Sequence, residues 1–234
     1  MTKTNTPKKA KLLIKQINSI IQSLYEISLC TYSPMISTSM KAKKNGESQF
    51  NIEFPNLDKN LFFANISYED MWEKMNCNKQ YTCKLVDGGL LTLLYTFSYV
   101  SGEMVNSRLS FFPCYETPSL DDCPNDYDTD ITYLDVFNEQ SYPSAIRFDY
   151  DPSQTAVKDI VHPSTHLTLG QFEHCRIPLQ SPLTPLQFFS FIIRNFYNSK
   201  YSLWQSQISS ICYKDLAFNN TISINEQKIV HLAW

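Results

Sequence analysis

Three runs in the first half of the chain, residues 81–86, 91–100 and 103–112, are rich in side chains that suit a pleated surface. Asp87-Gly88-Gly89 and Ser101-Gly102 join them, and such residues let a backbone reverse within a few positions. Strands joined by turns this short pair antiparallel, because a parallel partner needs a crossover of a dozen residues or more. The chain is therefore committed to an antiparallel sheet. Residues 145–151 and 165–169 alternate in the same way, and 228–234 reads as a last strand.

Helical spacing is found in three places. Leu13, Ile17, Ile20, Ile21 and Leu24 form an apolar stripe within a basic amphipathic helix over 8–28. A second helix is expected over 68–76. The third opens at Leu183-Thr184-Pro185, where Thr184 can cap, Pro185 fits the first turn and Gln187 completes a capping box. Its Phe189, Ile192, Ile193 and Phe196 share one face down to about Tyr197. A helix, several antiparallel strands, a helix and a strand make the fold class α+β: a mostly antiparallel sheet flanked by an N-terminal amphipathic helix and a C-terminal capped helix.

The stretch 31–47 is polar and punctuated, and reads as a loop. The expected organisation is a basic N-terminal helix and linker over 1–47, followed by a core domain over 48–234. An acidic, proline-containing stretch without periodicity, at about 113–143, is expected to be an irregular insertion in that core.

Charge follows this division. The net charge is −3, but residues 1–44 hold eight lysines against Glu26, whereas residues 115–159 hold eleven acids against Arg147 and Lys158. The basic arm suits nucleic acid, an anionic surface or an acidic partner, and a slightly acidic total disfavours tight unaided binding to nucleic acid. The chain has only five glycines and contains neither G-x-x-x-x-G-K nor G-x-G-x-x-G. No ATP site of its own is expected, so any ATP-driven step belongs to a partner. Seven scattered cysteines without a C-x-x-C pair suggest reduced thiols in a cytoplasm. No run of 18 apolar residues suggests a membrane span.

Alternation sorts the strand side chains by face. In Ile146-Arg147-Phe148-Asp149-Tyr150-Asp151 the apolar residues point one way, with Arg147, Asp149 and Asp151 opposite. By the same rule Arg108 and Ser110 oppose Leu109 and Phe111, and His166 and Thr168 oppose Leu167 and Leu169. His231 opposes Val230, Leu232 and Trp234. In one sheet, Arg108, Arg147, Asp149, His166 and His231 would share a polar face. Arginines there would hold phosphate, and histidines with a carboxylate would serve acid–base chemistry or a metal. The competing reading is a wet face whose arginine–aspartate pairs satisfy each other.

The four histidines all lie in the last third, and His162-Pro-Ser-Thr-His166 brings two of them to i, i+4 spacing. His174 beside Cys175 shows no partner pattern. Glu226-Gln-Lys228 supplies the E-x-K half of a metal-dependent nuclease core, with Asp215 as a second carboxylate. Asp126-Tyr-Asp128-Thr-Asp130 begins like a calcium loop, but Ile131 and Phe137 at its sixth and twelfth positions exclude an EF-hand.

Arg108-Leu-Ser-Phe-Phe-Pro113, Arg147-Phe-Asp-Tyr-Asp151, His162 to Gly170, Cys175-Arg-Ile-Pro178, Leu183-Thr-Pro185 and Phe191 to Tyr197 together resemble the bacterial domain-of-unknown-function family 2290. The resemblance covers roughly residues 10–234 and is most specific over 145–197. It implies a context: the smaller component of a two-gene anti-phage defence system whose larger component is a helicase. The residues matched are Arg108, Arg147, Asp149, His162, His166, Arg176 and Arg194.

Two functions are expected from this. In the first, the protein acts with the helicase on foreign nucleic acid as its nuclease. Arg108, Arg147, Arg176 and Arg194 would then bind phosphate, and Asp149, His162, His166, Glu226 and His231 would supply acid–base groups or ligands for a divalent metal ion. In the second, it is a non-catalytic adaptor or sensor that docks on the helicase and binds nucleic acid or a phage protein.

Overall fold

The computed structural model describes residues 6–42, 47–58, 66–116, 144–153, 157–170, 172, 174–208 and 216–234. Most of the expected acidic insertion, including Asp126, Asp128 and Asp130, lies outside these residues, as does Asp215.

The fold is α+β, and the described residues form four helices and nine strands in one antiparallel sheet. The helices are α1 (Lys8–Glu26), α2 (Tyr68–Cys77), α3 (Pro185–Phe196) and α4 (Asn198–Ile208). The strands are β1 (Cys30–Tyr32), β2 (Ser37–Ala42), β3 (Ser48–Glu53), β4 (Cys83–Leu85), β5 (Leu90–Ser98), β6 (Met104–Phe112), β7 (Ile146–Tyr150), β8 (Thr165–Leu169) and β9 (Ile177–Pro178). The main order is β1-β4-β5-β6-β7-β8-β9, and β2 joins through β3 to the second half of β5.

Alternation decides which face is apolar. Leu91, Leu93, Tyr95 and Phe97 of β5, Leu109 and Phe111 of β6, Phe148 of β7 and Leu167 of β8 all enter one buried cluster. Its other half comes from Leu13, Ile17, Ile20 and Leu24 of α1, Phe188, Phe189, Ile192 and Ile193 of α3, and Trp204 of α4. Helix α1 thus shares its core with the sheet. Gln16 fixes it further, its side-chain carbonyl accepting from the Leu186 backbone N–H at 3.1 Å. The capping box at α3 forms as the sequence implies, with Thr184 accepting from the Gln187 N–H and Gln187 accepting from the Thr184 N–H. On the opposite face, Met71, Trp72 and Met75 of α2 cover Leu90, Phe112 and Ala145.

Three local expectations change. The stretch 31–47, read as a loop, carries β2, which pairs residue for residue with β3 from Ser37↔Glu53 to Ala42↔Ser48. Helix α4 follows α3 directly. The expected last strand over 228–234 is instead a 3-10 turn at Glu226–Lys228 followed by a single bridge, Leu179↔Leu232. The turn is held by hydrogen bonds: Ser223 and Asn225 both donate to Asp159, and Glu226 accepts from the Ser223 N–H. These draw the backbone away from the sheet until the Leu232 N–H reaches the Pro178 carbonyl at 3.0 Å.

Among the described residues no helix is long and apolar enough to cross a membrane.

Candidate functional site

The register of β6, β7 and β8 sets Arg108 opposite Asp149 and Asp149 opposite His166. One pleat away, Ser110 faces Arg147 and Arg147 faces Thr168. These six side chains lie on the sheet face away from α1 and α3, because their neighbours Leu109, Phe148 and Leu167 fill the core. The expected polar face therefore forms.

Asp149 is its centre. Arg108 Nε donates to Oδ1 at 2.6 Å and Arg147 Nε donates to Oδ2 at 2.7 Å. Burial pushes this carboxyl up, but the two guanidinium groups outweigh burial and hold it below the usual aspartate range. Each arginine spends only Nε on the carboxylate. Among the described residues the Nη groups of both donate no further hydrogen bond. The arginine side chains keep 29% and 32% exposure against 10% for Asp149, so the paired ends are inside and the free ends reach solvent.

His166 lies behind the carboxylate, with Nε2 3.8 Å from Asp149 Oδ2 and Nδ1 2.9 Å from the Pro163 carbonyl. A carbonyl only accepts, so Nδ1 carries the proton and Nε2 faces Asp149 unprotonated. Burial pulls the His166 pKa below its usual value, and the nearby His162 and Arg176 push the same way, against the opposing effects of Asp149 and the Pro163 bond. The ring is therefore neutral at pH 7. Two arginines, one carboxylate and a neutral imidazole leave this cluster with one net positive charge.

Two hydroxyls complete the face. Ser110 is wholly buried and Thr168 is 4% exposed, yet among the described residues neither side-chain oxygen has a hydrogen-bond partner. Buried polar atoms are normally satisfied, and leaving one unmade costs about 1–3 kcal/mol. The face is thus buried around Asp149, Ser110 and Thr168 and open to solvent at the outer ends of the two arginines.

The other expected residues divide. His162 joins the edge of the cluster, its ring centroid 5.0 Å from that of His166, in a turn where Lys158 and His162 exchange backbone hydrogen bonds. Arg176 is half-buried just before β9, close enough to act on His166. His231 does not reach the face: without a final strand, its Nδ1 lies 2.9 Å from the Ile229 carbonyl. Glu226 is 3% exposed, and its carboxylate accepts from the Ser223 N–H just before the 3-10 turn. Arg194 is exposed on α3, which packs on the opposite side of the sheet. No group of three or more His, Cys, Asp and Glu side chains among the described residues is arranged to hold a metal ion. The alternation rule placed Ser110 and Thr168 on this face. That they lack partners was not legible, because pairing depends on three-dimensional neighbours.

Both shifted groups bind protons less tightly in the folded protein than in the unfolded chain. Their stabilisation is complete above the unfolded pKa and is lost as pH falls through the folded one. The contributions of these two groups to stability against urea are expected to be level above pH 6.5, that of His166 declining below it and that of Asp149 below 3.8. His166→Gln removes the first decline. Superimposable pH profiles for the variant and the parent protein would contradict this assignment.

The fold and the cluster together define an α+β domain that presents a carboxylate-buttressed arginine pair on a buried polar sheet face. The chain belongs to an uncharacterised conserved protein family, DUF2290, whose profile matches residues 35–234. That match includes every residue of the cluster and leaves out α1, although α1 completes the core. No curated protein and no solved structure matches the chain.

Proposed function

We propose that this protein is the non-catalytic subunit of a two-component bacterial anti-phage defence system, working with a helicase and contacting nucleic-acid phosphate through Arg108 and Arg147. The observation that carries the reading is the double use of Asp149. A carboxylate neutralised by two guanidinium groups is a weak base, and it aims their free Nη ends outward as a fixed fork. The neutral His166, its Nδ1 bonded to the Pro163 carbonyl, packs behind Asp149 without a hydrogen bond to it. A helicase partner accounts for the lack of a nucleotide loop, and contact made within a complex suits a chain with a net charge of −3.

The test uses cells carrying the two genes, challenged with phage, and the purified pair incubated with DNA or RNA in magnesium. Arg108→Gln with Arg147→Gln is expected to abolish protection and to weaken oligonucleotide retention more at 50 mM than at 200 mM salt, whereas Glu226→Gln leaves protection intact. Nucleic-acid cleavage that disappears in Asp149→Asn would overturn the non-catalytic reading in favour of a nuclease. Full protection by the double arginine variant would overturn the assignment of the site.

A further inference from the structure

On the opposite side of the sheet, α3, α4 and the C-terminal residues enclose a cleft of about 470 Å3. Its walls are Phe191 of α3, Tyr201 of α4 and Trp234, with Ser190, Gln187 and Arg194 adding polar groups. The parallel bridge at Leu232 sets the position of Trp234, and Phe148 steadies both Phe191 and Trp234 through edge contacts at 5.2 and 6.3 Å.

The charge of the cleft is specific. Arg194 is exposed and makes no ion pair among the described residues, and no Asp or Glu side chain lines the cleft. An unneutralised guanidinium beside three aromatic rings is complementary to a ligand that carries an anion and a flat ring. The size agrees, since compact clefts for small molecules run from about 300 to 1,000 Å3 and this one is too small for a peptide helix. Gln187 spends its side-chain oxygen on the α3 cap, and its amide N–H groups stay available for a ring-edge acceptor.

We propose that this cleft binds one nucleotide unit, with the base against Trp234 and Phe191 and the phosphate on Arg194. The same chemistry is offered by a free nucleoside monophosphate and by the 5′-phosphorylated end of a single strand. The inference does not depend on the polar-face reading, because the two sites lie on opposite sides of the sheet and share no side chain.

Tryptophan fluorescence reads the site directly. Of the three tryptophans, Trp204 is fully buried and Trp72 is 5% exposed, whereas Trp234 is 43% exposed, so quenching reports on the cleft. The full-length protein is titrated with AMP, dTMP, 5′-phosphorylated (dT)4, unphosphorylated (dT)4 and an acetylated Asp-Phe dipeptide. Saturable quenching by a phosphorylated probe is expected, with Kd about tenfold lower than for the unphosphorylated counterpart. Arg194→Gln is expected to erase that difference and Arg194→Lys to retain part of it. Trp234→Leu, followed by calorimetry and with its fold checked by circular dichroism, is expected to lose binding. The Arg108→Gln, Arg147→Gln protein keeps it, which separates failure here from failure of the polar-face site. Binding by mononucleotides alone identifies a free nucleotide as the ligand, and binding by the oligonucleotide alone identifies a strand end. The proposal is overturned if no nucleotide probe quenches, if Arg194→Gln binds as well as the parent, or if only the dipeptide binds.

Discussion

Asp149→Asn is expected to lower the free energy of unfolding by about 3 kcal/mol, measured by urea denaturation at pH 7. Removing one member of a buried ion pair costs about 3–5 kcal/mol, because the partner charge is left without compensation. Here two guanidinium groups lose their counter-charge at once, and one of them faces an amide NH2 that cannot accept. Their outer ends reach water, which keeps the loss at the lower end of that range. The variant also separates structure from recognition. Replacing the set together, with Asp149→Leu, Arg108→Met and Arg147→Met, is expected to recover most of the stability, since packed apolar groups substitute well for a buried ion pair. The same triple variant is expected to retain no oligonucleotide. A loss under about 1 kcal/mol for Asp149→Asn would show that the arginines do not depend on this carboxylate.

Trp204→Ala is expected to cost about 4 kcal/mol, within the about 3–5 kcal/mol typical of large aromatic truncations. Trp204 has no exposed surface and ties two distant parts of the chain together. Its indole N–H donates to Ser23 Oγ at 2.9 Å, and that hydroxyl donates to the Ile20 carbonyl at 2.7 Å. Trp204→Phe keeps most of the packing and loses the indole bond, so about 1–2 kcal/mol is expected for it. Equal losses for alanine and phenylalanine would assign the whole effect to the hydrogen bond.

How much could be read beforehand depended on whether the signal was local. Strands β6, β7 and β8 bury Leu109, Phe111, Phe148 and Leu167 on one face, so their period-two pattern revealed which side Arg108, Arg147, Asp149 and His166 would share. Thr184, Pro185 and Gln187 specify the start of α3 within four residues. Strand β2 escaped because it is a polar edge strand with no fully buried position, and nothing in Ser37–Ala42 alternates in hydropathy. Helix α4 escaped for a similar reason, since Trp204 is its one fully buried residue and a single anchor makes no helical stripe. His231 was misplaced because the turn that diverts it is built from Asp159, more than sixty residues away. The cleft around Arg194 is assembled from three separate segments, so no window of sequence contains it.

The pairing of Ser23 with Trp204 also sets the order of events during synthesis. The two residues are 181 positions apart. At about 5–20 residues per second, the ribosome needs about 9–36 s to make the second after the first. Until α3 and α4 are made, the apolar stripe of the first helix has no helical partner from that layer to cover it. The first helix is therefore made well before the segment that completes its side of the core.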